Sequence, residues 1–206
     1  MRSSVLLLLL GIAIAVNGCG GSSSGGAGGK GGANGGGAGT SGGAGACGVV
    51  SGVPASGATC NAVAAGGPCV VATFSTAAAP MPAGGAFAAG TYNLVSQTLY
   101  GPADAEPTFQ PGQPFRQTYA LSDVTSTSFT LDQAWASGDF VARAHLTAVV
   151  SGMTATFVQT CPPPDAGGDS SGSPTFTATS TSLTLFWPLV PPVDGIIAVN
   201  VFNKAP

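Results

Sequence analysis

A chain of 206 residues has room for one or two domains, but only 6 % of it is charged and its formal net charge is −3. The basic residues Arg2, Lys30, Arg116, Arg143 and Lys204 are far apart in sequence. No run of them can follow a phosphate backbone, which argues against nucleic acid as a partner. Apolar residues make up 44 % of the chain, mostly as scattered alanines and valines, and the sole long apolar run sits at the extreme N-terminus.

That run follows a short positive segment, Met1 to Ser4, and extends from Val5 to Val16. It is shorter than the ~20 residues a spanning helix needs, so residues 1–18 read as an export signal. The signal ends in Val16-Asn17-Gly18-Cys19, which resembles the lipobox of bacterial lipoproteins, where a branched apolar residue and small residues precede a cysteine. The resemblance implies that Cys19 becomes the first mature residue, with its thiol diacylglycerated and its amine carrying a palmitate-type acyl chain. It also implies that the membrane is the protein's partner. Two or more acyl chains hold a protein firmly, whereas one gives only reversible binding. Gly20 in place of aspartate after the cysteine implies transfer to the outer membrane.

From Gly20 to Ala46 the chain is almost wholly Gly, Ala and Ser. Such a composition cannot offset the entropy of ordering, so residues 19–46 are expected to form a lipidated, disordered tether spanning roughly 26–31 Å. Gly25 to Gly31 has the look of a phosphate loop but lacks the preceding strand and following helix that such a loop requires.

Four cysteines remain in residues 47–206: Cys47, Cys60, Cys69 and Cys161. An even number in an exported chain predicts two disulfides with three possible connectivities. The preferred pairing is Cys47–Cys60, closing a short loop, and Cys69–Cys161, stapling the N-terminal segment to a late strand. The spacings fit no zinc pattern, and His145 is the only histidine, so no metal or other cofactor is expected.

Residues 47–89 read as an irregular, disulfide-held lead-in. Ala62 to Ala65 is read as at most one helical turn, and Val70 to Phe74 as a short strand. Pro80, Pro82, Gly84 and Gly85 break any helix in the alanine-rich stretch that follows. The main strands lie in residues 90–206. They are expected at Gly90–Tyr100, Phe115–Leu121, Ser128–Leu131, Phe140–Val150, Met153–Cys161, Thr175–Ala178, Ser182–Trp187 and Ile196–Asn203, separated by Gly, Pro, Asp and Ser. In the fourth, Phe140, Ala142, Ala144, Leu146, Ala148 and Val150 form an apolar face, while Val141, Arg143, His145 and Thr147 lie on a mixed, wet one. About eight short strands and no convincing helix give an all-β class, either an antiparallel barrel or a sandwich.

The opening Gly90-Thr91-Tyr92-Asn93-Leu94-Val95-Ser96 resembles the Gly-x-Trp/Tyr-x-Leu start of lipocalin-like domains, with Tyr92 where tryptophan is usual. The stretches around Phe176–Thr179, Leu183–Leu185 and Val201–Lys204 are similar to the closing strands of those domains. Signal, cysteine, tether and β-domain together resemble myxobacterial-type lipoproteins. The resemblance implies a small barrel but brings no catalytic residues with it.

Candidate chemistry is sparse. His145 has no Gly-x-Ser-x-Gly elbow beside it. Glu106 is the sole glutamate for any carboxylate pair. Asp165 and Asp169 lack the run of oxygen ligands that calcium takes. Trp135 and Trp187 suit either ligand stacking or packing in the core or at a rim. The expected function is that of a non-enzymatic, lipid-anchored envelope protein binding a small apolar ligand, a glycan or an envelope partner. The alternatives are an envelope hydrolase using His145 and a purely structural surface-coat protein. A barrel interior filled by Phe140, Leu146, Phe157 and Leu185 would rule against the carrier of an apolar ligand.

Overall fold

The computed structural model describes residues 47, 59–105, 113–138, 140–163, 170–189 and 195–206. The signal, Cys19, the tether, Glu106, Asp165 and Asp169 lie outside those residues.

The described residues form ten strands and no helix. Two short strands, β1 (Thr73–Ser75) and β2 (Gly84–Gly85), belong to the lead-in. The others are β3 (Gly90–Tyr100), β4 (Phe115–Ser122), β5 (Ser128–Ser137), β6 (Phe140–Ser151), β7 (Thr154–Cys161), β8 (Thr175–Ala178), β9 (Ser182–Pro188) and β10 (Ile197–Lys204). They make one mixed sheet in which β1 and β2 pair parallel with β3 and β8. From β3 to β10 each strand pairs antiparallel with the next, and β3 pairs antiparallel with both β10 and β4. The strand path therefore returns on itself, through four paired residues between β3 and β4 and a single β7–β8 pair.

Alternation along each strand sends one set of side chains into the circuit. Tyr92 and Leu94 of β3, Tyr119 and Leu121 of β4, Phe129 and Leu131 of β5, and Leu146 of β6 meet Phe157, Phe176, Leu185 and Phe202 in one cluster. Of the four residues whose packing inside would rule against an apolar-ligand carrier, Leu146, Phe157 and Leu185 are buried in this cluster, while Phe140 stands at the rim and is 44 % exposed. Alternation slips once in β3, where Ser96 lies opposite Val201 and Leu94 opposite Phe202. Val95 is the extra residue of this bulge, so Leu94, Gln97 and Leu99 are the buried positions of one strand.

At one end of the circuit two tight turns repeat nearly the same residues. Thr125-Ser126-Thr127-Ser128-Phe129-Thr130-Leu131 joins β4 to β5, and Thr179-Ser180-Thr181-Ser182-Leu183-Thr184-Leu185 joins β8 to β9. In each, the first threonine Oγ1 accepts from the backbone N–H groups two and three residues on, at 3.2 and 2.9 Å for Thr125 and 3.2 and 3.0 Å for Thr179. The hydroxyl thereby satisfies donors that the turn takes out of the ladder. The β6–β7 hairpin turns through Gly152, whose φ of 57° is in the left-handed region glycine adopts at no steric cost.

The lead-in departs from expectation. Ala62 to Ala65 makes no helical turn. The stretch is instead a strap lying across the outer face of the strands. Asn61 Nδ2 donates to the carbonyls of Gln133 (3.2 Å) and Ala144 (2.8 Å), and Arg143 Nε donates to Val63 O (2.8 Å). The Gly66 N–H donates to Thr118 Oγ1 (2.7 Å), and Thr118 Oγ1 donates to Asn93 Oδ1 (2.9 Å). Gly67, at φ 77°, comes so near Asn93 that an added Cβ would sit 2.7 Å from that residue's Cβ. Anchored on β5, β6, β4 and β3, the strap shields Ala134 and Ala136, which alternation places outside yet which are buried. Helix propensity in a run of alanines is weak beside these tertiary bonds.

The strap also corrects the disulfide pairing. Two bridges form, Cys47–Cys69 and Cys60–Cys161, in place of Cys47–Cys60 and Cys69–Cys161, with Cα–Cα separations of 5.8 and 5.5 Å. Crossing the strands puts Cys60 at the β7 side, beside Cys161. It carries Cys69 to the β4 side, where Val70 exchanges backbone hydrogen bonds with Phe115 at 2.8 and 2.9 Å. Cys69 is then out of reach of Cys161 and takes Cys47. Loop length alone, the guide available from sequence, cannot register such a crossing.

Candidate functional site

The two ends of the circuit differ in chemistry. Around the threonine turns the interior is hydrocarbon, with Phe87 lying 4.4 Å from Phe129 and 4.5 Å from Phe176 between ring centroids. Toward the opposite end, near Phe115, Ser137 and Cys161, five buried amides stand on five strands: Gln97, Gln117, Gln133, Gln159 and Asn200. Each occupies an inward position. Gln97 faces Asn200 across the β3–β10 pair, Gln117 faces Trp135 across β4–β5, and Gln133 faces Ala144 across β5–β6. No charged residue takes an inward position at this end among the described strands; Lys204, in line with Phe202 on β10, stands at the opposite end over the Tyr92 ring.

The amides are unequally engaged. Gln159 is committed to structure: its Nε2 donates to Pro162 O (2.7 Å) and its Oε1 accepts from the Ser170 N–H (2.8 Å), which ties down the chain after β7. Gln97 Nε2 donates to Asn200 Oδ1 at 2.9 Å, and Gln117 Nε2 donates to the Tyr119 hydroxyl at 3.1 Å. The side-chain amide of Gln133, only 9 % exposed, makes no hydrogen bond among the described residues. None of these amides is sealed from solvent without a partner, so the end of the interior they line is polar and reachable by water.

Both tryptophans stand at this end, each half-buried. Trp135 packs edge-on to Phe140 (5.5 Å) and beside Phe115 (6.1 Å), while Trp187 stacks on Phe157 (5.8 Å) against Gly172. Their half-buried packing agrees with core or rim packing, one of the two readings the sequence allowed. The strand reading missed the amides, because glutamine in an alternating strand is assigned to the wet face unless the circuit's polar end is known. The sole sequence signal is their placement between apolar inward neighbours, as in Phe115-x-Gln117-x-Tyr119 and Leu131-x-Gln133-x-Trp135.

Burial raises the phenols of Tyr119 and Tyr92 above their ordinary value, Tyr119 strongly so. Tyr119 lies flat against Phe202 at 4.5 Å, and Tyr92 donates its hydroxyl hydrogen to Ala88 O at 2.8 Å. The unfolded chain releases these protons near pH 10 while the folded chain keeps them. Stability is therefore whole below about pH 10 and falls above it, by about 1.4 kcal/mol per pH unit for each phenol held neutral. Urea melts between pH 9 and 11.5 should show this slope, and Tyr119→Phe should flatten it; equal slopes in the two proteins would refute the assignment.

His145 is on the outer face, as expected. Its Nδ1 lies 2.6 Å from Oδ1 of Asp132, its cross-strand partner, with both side chains about one-third exposed. A base and an acid are thus together. Among the described residues no serine or threonine hydroxyl is bonded to the other ring nitrogen, and no cluster of three metal-ligating side chains forms. An exposed pair of this kind contributes about 0–1 kcal/mol. Elsewhere, Arg116 Nε is buried without a hydrogen-bond partner among the described residues.

Comparison with protein-family models, with curated proteins and with solved structures finds no match to this chain.

Proposed function

We propose that this protein is a non-enzymatic, lipid-anchored component of the cell envelope, exported and held by Cys19, with its β-domain displayed on the glycine-rich tether. The cysteine arithmetic carries the reading. The two bridges use Cys47, Cys60, Cys69 and Cys161 in pairs, which suits an oxidising compartment and leaves Cys19 as the one unpaired thiol of the sequence. That thiol stands at the boundary between an export signal and a tether, where a lipoprotein carries its acyl chains.

In this reading the closed strand circuit is an eight-stranded, lipocalin-like up-and-down barrel whose apolar half is occupied by its own side chains. An apolar cargo therefore has little room, and recognition falls to the amide-lined end. Metabolic labelling with a fatty-acid analogue tests the anchor. The wild type should incorporate label and fractionate with the outer membrane, and Cys19→Ser should lose both properties. Equal labelling of the two proteins would overturn the proposal.

A further inference from the structure

We infer that the amide-lined end of the strand circuit binds a neutral saccharide. The inference goes beyond membrane anchoring and does not depend on it.

Three observations converge. First, the interior at this end offers hydrogen-bonding groups that the fold leaves unused. Among the described residues Gln133 spends neither end of its amide, and Gln97, Gln117 and Asn200 each show one amide atom engaged in the bonds given above. Gln133 is more than nine-tenths buried and points inward, yet its amide atoms are not sealed from solvent, so they stay within reach of a ligand. Second, every one of these groups is an uncharged amide, able both to donate and to accept. A charged ligand would lose its water here and meet no countercharge, and a hydrocarbon ligand would strand the amides. Hydroxyl groups, which also donate and accept, satisfy both constraints. Third, Trp135 and Trp187 stand at the same end on β5 and β9; each is packed on other rings but only half-buried, and the part left open offers an apolar surface to the C–H side of a sugar ring. Uncharged polar groups with flanking aromatic faces thus specify a neutral, polyhydroxylated ring.

Such a ring can arrive as a free oligosaccharide or as the end of an envelope glycan, and two arms of one experiment separate them. In the first, tryptophan emission of the folded, oxidised domain is titrated with maltose, cellobiose, lactose and chitobiose. In the second, the same sugars are presented as non-reducing ends on an immobilised glycan surface. Saturable binding in both arms assigns free oligosaccharide, and binding on the surface alone assigns the glycan. Gln133→Leu, which fills the position without unpaired groups, should weaken binding at least about tenfold, and Gln97→Leu should do the same. Gln133→Asn should fall between wild type and Gln133→Leu, and His145→Ala, on the outer face, should bind as the wild type does.

The inference is overturned if no sugar binds in either arm, or if Gln133→Leu and Gln97→Leu melt as the wild type does yet bind undiminished. It is overturned equally if only galacturonate or the apolar dye anilinonaphthalenesulfonate binds. Fatty-acid labelling of Cys19 is measured separately, so a failure here leaves the envelope reading standing, and a failure there leaves this one.

Discussion

Replacing Cys60 and Cys161 together by serine lowers the stability of the oxidised domain by about 4–5 kcal/mol. The bridge closes a loop of 101 residues, and constraining so long a loop removes about that much free energy from the unfolded ensemble. For a domain of this size the melting temperature falls by roughly 10–20 °C. The Cys47–Cys69 bridge spans 22 residues, and its removal costs about 3 kcal/mol on the same account. Thermal melts of the two double-serine variants, read beside the wild type, should therefore rank in that order. Peptide mapping under non-reducing conditions supplies the direct check. A fragment linking Cys69 to Cys161 would overturn the strap arrangement, as would a Cys60→Ser/Cys161→Ser protein that melts within about 3 °C of the wild type.

The second large effect belongs to Phe202, whose replacement by alanine should cost about 3–5 kcal/mol. Its ring is fully buried, lies against Tyr119 at 4.5 Å and 18°, and sits between Leu94 of β3 and Leu183 of β9 in the ladder. Truncation there removes the transfer free energy of an aromatic ring and leaves a void in a closed circuit with little freedom to collapse. A double-mutant cycle with Tyr119→Leu should return about 0.5–1.5 kcal/mol of coupling for the stacked pair. Val149→Ala provides the contrast, since Val149 is 61 % exposed on the outer face and its truncation should stay within about 0.5 kcal/mol. Urea titrations settle both, and a Phe202→Ala cost below about 1.5 kcal/mol would contradict the packing described.

Much of the ladder was legible because its strands are bounded by strong turn chemistry. Gly90–Tyr100 and Thr175–Ala178 agree with expectation residue for residue, and β6 extends past it by only Ser151. The second half of β5, Asp132 to Ser137, was not anticipated, since Asp, Gln and Ala carry little strand preference. Pairing with both β4 and β6 along the whole of that length makes it a strand regardless. Closure of the circuit was open between barrel and sandwich, because no local signal records that β3 shares its ladder with β4 as well as β10. The strap was illegible for the same reason: its partners Gln133, Ala144, Thr118 and Asn93 are 26 to 83 residues away and are met mostly through backbone groups or small hydroxyls. The candidate site is the part most dependent on closure. Gln97 and Asn200 are 103 residues apart and meet only because the last main strand returns to the first.

The crossed bridges have a mechanical consequence. A pull on the chain before Cys47 enters the domain through the Cys47–Cys69 bond and is handed to Val70, bonded to β4, and then to β1, which lies along β3. Residues 48–68 are bypassed, so the strap and its contact with β7 carry no load. The line of force runs along the β1–β3 and Val70–Phe115 contacts and so reaches Thr98, Leu99 and Tyr100, which also pair with β10 beside Gln97 and Asn200. A tug on the N-terminal side is thus delivered to the polar end of the interior, on the same strands that position the amides.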